Sequence, residues 1–107
     1  MNKLMMSYDE MINDRMKNDE AFAAEMFKGA VTALIEGDLR YGLVTLRDIV
    51  KAGMGYAALS KAVGISVQNL RRTLSATGNP TIKTLNKIIE AVREFGRYEM
   101  PRYQFAG

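Results

Sequence analysis

The 107-residue chain contains no cysteine and no histidine. Without cysteine there is no disulfide framework and no thiolate metal site, and a reducing compartment fits. Without histidine the commonest general base and the commonest metal ligand are both missing. No apolar run approaches a membrane span; stretches such as residues 30–35 fall far short of the ~20 residues required. The opening MNKLMMSYDE reaches Asp9 and Glu10 before the apolar core of a signal peptide can form. No nucleophile–base pair, metal cluster or P-loop is evident; GMG and ATGNP are isolated turns without the accompanying lysine or strand. The chain also lacks internal repeats, low-complexity tracts and strand-like alternation. These absences lead us to expect a soluble cytoplasmic protein that is not an enzyme and needs no cofactor or metal. Its length suits one domain with a modest core.

What is present is charge, unevenly spread. The formal net charge of +3 conceals five Lys/Arg against eight Asp/Glu in residues 1–40, and seven Lys/Arg against two Asp/Glu in residues 56–97. An acidic N-terminal third is therefore followed by a basic C-terminal half, the bias a phosphate-seeking surface requires. Taken alone, such a bias is as well explained by a solvated face.

Apolar residues recur at helical spacing throughout. Ser7 can cap a first helix to about Lys17, with Met5, Tyr8, Met11, Ile12 and Met16 as a partial apolar face. Asn18-Asp19 interrupts it and can cap a second helix to about Glu36. There Phe22, Met26, Ala30 and Ala33 form one stripe, and Phe27, Val31 and Leu34 the next. Asp38 can cap a third helix, Leu39 to about Ala52, along which Leu39, Leu43, Leu46 and Val50 make one stripe. Thr81 can cap a closing helix marked by Ile82, Leu85, Ile88, Ile89, Val92 and Phe95, with Gly96 as its stop. The tail RYEMPRYQFAG has no periodicity, so it is expected to be disordered or to lie as an arm over a partner. The expected fold is all-α: a five-to-six-helix bundle with an N-terminal helical extension (residues 1–36), a core (37–97) and a tail (98–107).

The stretch YAALSKAVGISVQNLRRTLSATGNP, residues 56–80, organises the rest. Leu59, Ala62 and Val63 give a first short helix its apolar stripe. Gly64 suits its left-handed end, Ile65 plugs the corner, and Ser66 is a ready N-cap for a second helix. Leu70, Thr73 and Leu74 bury one side of that helix, with Val67 at the edge. At about 100° per residue, Gln68, Arg72 and Ser75 point away from Leu70, flanked by Asn69 and Arg71. That face bears amides and guanidinium groups and no carboxylate. Two crossed helices around a glycine turn, the second with such a face, describe a helix-turn-helix.

With its continuation GNPTIKTLNKIIEAV, this stretch resembles the Cro/repressor (XRE-like) class of bacterial helix-turn-helix proteins, and most closely the HigA-type addiction-module antitoxins. In that group a recognition helix runs into a Gly-Asn-Pro-Thr turn and a final amphipathic helix, as Gly78, Asn79, Pro80 and Thr81 do here. The resemblance covers roughly residues 38–95. It departs at Ser60, where the motif usually has alanine, and at Thr73, where a bulkier apolar residue is common.

The resemblance implies a sequence-specific DNA-binding transcriptional repressor, the antitoxin of a type II toxin–antitoxin pair that regulates its own operon. Its partners would be operator DNA, a second copy of the chain, and a small basic toxin of the RelE/HigB type facing the acidic N-terminal third. The base readers would be Gln68, Asn69 and Arg72. Backbone or flanking contacts would come from Tyr56, Lys61, Ser66, Arg71, Ser75, Thr77, Gly78 and Asn79. For five of these residues a plain reading stands alongside: solvated surface for Gln68, Asn69 and Arg72, packing on the third helix for Tyr56, and capping for Ser66. Two dimer surfaces are available, the Met-rich N-terminal segment and the last helix with its tail. Met26 is expected in the core, while Met5, Met6 and Met11 are open. The alternatives are a helical protein-interaction module that does not engage DNA, or a stand-alone regulator without a toxin.

Overall fold

A computed structural model describes residues 7–101. Six helices and no strand occur among them: α1 (Tyr8–Asn18), α2 (Glu20–Ile35), α3 (Leu39–Ala52), α4 (Gly55–Val63), α5 (Val67–Thr73) and α6 (Ile82–Gly96). None is long and apolar enough to cross a membrane. Met5, Met6 and the tail beyond Pro101 lie outside the described residues.

Each helix start except that of α4 is fixed by a side-chain cap. The oxygens of Ser7, Asp19, Asp38, Ser66 and Thr81 accept from the backbone amide three residues on, at 3.0–3.3 Å. Each cap satisfies a donor that the first turn leaves unpaired. Helix α4 has no such bond and begins at Gly55, whose φ of 80° lets the chain double back from α3.

Helices α2 and α3 pair most extensively, α1 lies across both, and α4 joins α3 to α6. The core draws on every helix: Met16 from α1, Phe27, Ala30 and Val31 from α2, Leu43, Leu46 and Val50 from α3, Leu59 from α4, Leu70 from α5, Ile88 and Val92 from α6, and Leu74 after α5. Met26, expected in the core, is half-buried and packs against its margin. Residues 1–36 thus supply part of the same core as residues 37–97. The radius of gyration of 14.0 Å is near the ~13 Å expected for a compact chain of about this length.

Several expected apolar positions face outward instead. Ile82 is 78% exposed because it is the first helical residue of α6, beyond the end of the packed face. Phe95 is 58% exposed although it shares the side of Ile88, because it sits in the last turn of α6, beside Gly53. Ala62 is exposed because α4 packs through Leu59, Val63 and Tyr56. Leu39, Tyr8 and Met11 are exposed at the starts of α3 and α1. Gly96 does not stop α6 from outside; it is the last helical residue, and Arg97 takes the left-handed cap at φ 55°. The start of the tail packs on the chain's own core. Tyr98 folds back and stacks on Phe27 with ring centroids 5.0 Å apart, and its burial raises the phenol pKa.

Candidate functional site

The α4–α5 corner is built from local rules. Gly64 ends α4 in the left-handed conformation, φ 72° and ψ 30°, and its amide donates to the Ser60 carbonyl at 2.9 Å. The Ser60 hydroxyl then donates to the Ile65 carbonyl at 2.5 Å. Serine at a position where the resemblance leads one to look for alanine therefore ties the corner shut. Ser66 starts α5, accepting from the Asn69 amide at 3.2 Å. Beneath α5, Leu70 and Leu74 are completely buried and Thr73 half-buried.

Gln68, Asn69, Arg71 and Arg72 are all exposed on the other side of α5. Gln68 and Arg72 stand one turn apart, and Asn69 and Arg72 three residues apart, so the three form a contiguous patch. Arg71 lies over the half-buried Tyr56 ring, 5.2 Å from its centroid, a cation–π contact linking α5 to the start of α4. Burial raises the Tyr56 pKa, opposed by the nearby Arg47 and Arg71 charges, so its hydroxyl remains a donor at neutral pH. Lys61 is exposed on α4.

Ser75 differs from its expected place. Helix α5 ends at Thr73, so Ser75 lies past the helix rather than on its outward stripe. Its hydroxyl donates to the Arg72 carbonyl at 2.7 Å and lies 3.5 Å from the Thr77 hydroxyl. Gly78 is half-buried and its amide donates to the Ser75 carbonyl at 3.0 Å, while Thr77 and Asn79 are exposed. A Cβ at Gly78 would fall 2.0 Å from the Thr73 carbonyl oxygen. Glycine is needed here so that the returning chain can lie against the end of α5. The expected residues thus divide: Gln68, Asn69, Arg72 and Lys61 present exposed polar groups on or near α5, Arg71 packs over the half-buried Tyr56 ring, and Ser75 and the Gly78 amide hold the following turn together.

No protein-family model, curated protein or solved structure matches the chain. Its chemistry must be read from its own residues.

Outside this patch, a cleft of about 570 Å³ opens between α1, α3 and Ala76, lined among others by Tyr8, Tyr41, Thr45, Arg47 and Asp48. Arg47 reaches Asp48 at 3.4 Å, and burial raises the Asp48 pKa against the pull of that guanidinium. Arg47 Nε is buried without a hydrogen-bond partner among the described residues. The sequence reading assigned nothing to this cleft, because Arg47 and Asp48 sit in α3 between apolar positions and carry no motif. Among the described residues, no group of three or more Asp and Glu is placed to hold a metal ion.

Proposed function

We propose that the chain is a sequence-specific DNA-binding repressor in which α4 and α5 act as a helix-turn-helix. The observation that carries this reading is the carboxylate-free patch of Gln68, Asn69 and Arg72 directly above a completely buried Leu70. A seven-residue helix is about 10 Å long and, with its side chains, about 10–12 Å across, a width that a major groove of ~12 Å admits. There Gln68 and Asn69 each offer a donor and an acceptor to adenine, and Arg72 offers two parallel donors to guanine. Each good bidentate contact contributes roughly 1–3 kcal/mol of discrimination. Arg71, held by the Tyr56 ring, Lys61 and the Tyr56 hydroxyl serve phosphates, as do Thr77 and Asn79 in the turn. These contacts orient the protein and carry no sequence information. One copy makes few base contacts, so two copies with readers ~34 Å apart would bind one operator.

A gel shift on DNA upstream of the protein's own gene tests this. Gln68→Ala and Arg72→Ala should each lose preference for that DNA while remaining folded, and affinity should fall with salt at about 0.9 log units per phosphate neutralised. Binding that ignores salt, or variants that keep their preference, would refute it.

The antitoxin part of the reading is favoured by the exposed face of α1. Tyr8 and Met11 stand out of it beside Asp9, Glu10 and Asp14, an apolar and acidic surface suited to a small basic RelE/HigB-like toxin. Truncating residues 1–36 would strip Phe27, Ala30 and Val31 from the core, so surface variants are the right probe. Asp9→Lys with Glu10→Lys should abolish recovery of a small basic partner in a pull-down; undiminished recovery would remove this branch and leave the DNA-binding one intact.

A further inference from the structure

The outward face of α6 carries its charges in an unusual order. Lys83, Lys87, Glu90 and Glu94 are all exposed. Their spacing of four, three and four residues puts them within an arc of about 60°, directly opposite the half-buried Leu85 and the buried Ile88 and Val92. An isolated helix gains from opposite charges four apart, glutamate first, and from acids near its N-terminus and bases near its C-terminus. This stripe does the reverse on each count. Both lysines lie in the N-terminal half and both glutamates in the C-terminal half, and the residues four apart are alike in sign. Within the helix the relief is partial: Lys87 stands three residues before Glu90, and Arg93 donates to both Glu90 oxygens at 2.8 and 3.0 Å and lowers that carboxyl's pKa.

A second copy of α6 running antiparallel removes all of these conflicts together. About a two-fold axis between Lys87 and Glu90, Lys83 meets the partner copy's Glu94 and Lys87 meets the partner copy's Glu90, with each pair repeated by symmetry. The helix dipoles then also lie antiparallel, each positive end beside the partner copy's negative end. Glu90 can serve both Arg93 and a partner lysine, since a carboxylate has about four lone-pair sites. A groove between α4 and α6, lined by Ala62, Val63, Ala91 and Phe95 together with Lys87, Glu90 and Glu94 of the stripe itself, adds apolar surface along one edge of these charges. We infer that this face of α6 is the self-association surface of the protein, an antiparallel, two-fold, charge-matched seam with a second copy of the same chain. The inference deepens the two-copy requirement of the DNA-binding reading, but it rests on α6 alone and is tested without DNA.

The test is a charge exchange followed by sedimentation. Lys83→Glu with Lys87→Glu makes the stripe wholly acidic; Glu90→Lys with Glu94→Lys makes it wholly basic. The wild type should be in monomer–dimer equilibrium at low ionic strength, with its dissociation constant rising at least tenfold between 50 mM and 500 mM salt. Each double variant alone should sediment as a monomer at concentrations where the wild type is dimeric, and an equimolar mixture of the two should recover the dimer. The acidic variant places negative charge at the positive end of α6, so at concentrations where both proteins are monomeric it should unfold as cooperatively as the wild type and at about the same temperature, which separates lost association from lost folding. A wild type monomeric at all concentrations, or double variants that dimerise alone as well as the wild type does, would overturn the inference. A monomer that still bound its operator would refute the seam and spare the DNA-binding reading; a charge-switchable dimer with no DNA affinity would do the opposite.

Discussion

Adding one methyl group at Gly78 probes whether the turn after α5 holds the proposed recognition helix in place. The Cβ of Gly78→Ala would meet the Thr73 carbonyl oxygen at 2.0 Å, its carbon at 2.9 Å and the Arg72 carbonyl oxygen at 3.2 Å. Ordinary contact begins at 3.4 Å, so the two backbones must part by roughly 1.4 Å. They cannot do so freely. The Leu74 amide donates to Leu70, the Ser75 hydroxyl to Arg72, and the Gly78 amide to Ser75, at 2.9, 2.7 and 3.0 Å. Gly78 is not among the glycines with positive φ, so the effect comes from contact and not from backbone conformation. Overpacking of this kind costs about 1–3 kcal/mol, and a lost hydrogen bond about 1 kcal/mol more. For a domain of this size, 2–4 kcal/mol corresponds to a fall in Tm of roughly 10–25 °C. Gly29→Ala is the control: it lies within α2 with nothing within 4 Å of its Cβ, and should stabilise by about 0.5–1 kcal/mol. Thermal and urea denaturation followed by circular dichroism measures both. A Gly78→Ala midpoint indistinguishable from the wild type, or two variants shifting in the same direction, would refute the close approach.

Ser60→Ala leaves the Ile65 carbonyl without its hydroxyl donor, and urea unfolding should show a loss of about 1 kcal/mol. Leu70→Ala opens a cavity beneath the exposed face of α5, where Leu70 is 0% exposed; a loss of about 3–5 kcal/mol is expected from the same measurement. Tyr98→Phe tests the folded-back start of the tail. Burial raises the Tyr98 pKa above its ordinary value of 10.0, so its contribution is fully present below that pH and is lost as pH rises through the folded value. The stability of the wild type relative to Tyr98→Phe should therefore be constant to about pH 9 and fall beyond pH 10, and a flat difference would place Tyr98 in solvent.

Helix positions were legible because their signals are local. Asp19, Asp38, Ser66 and Thr81 each stand one residue before a periodic apolar run, and each caps the helix it was expected to cap. Gly64 was legible for the same reason, since an α-helix closing in a left-handed residue needs no distant partner. Which apolar residues the core would accept was less legible. Ile82, Ala62 and Phe95 all match a helical stripe, yet burial depends on where neighbouring helices lie, and one-dimensional periodicity does not carry that. Tyr98 was missed from the other direction: its partner, Phe27, is 71 residues away in sequence.

The polar surface divides along the same line. Gln68, Asn69 and Arg72 could be placed outward from the burial of Leu70 alone, because a seven-residue helix with one buried leucine leaves little choice of face. Ser75 was misplaced because extending the 100° rule past Thr73 assumes a helix that has already ended, its hydroxyl having turned to the Arg72 carbonyl. The order of Lys83, Lys87, Glu90 and Glu94 was in plain view as sequence, but it acquires meaning only once Leu85, Ile88 and Val92 are shown to turn it outward. Until then like charges one turn apart read as ordinary solubility. Once exposed as a block on one face, they pose an electrostatic conflict that the proposed antiparallel copy of the same helix would resolve.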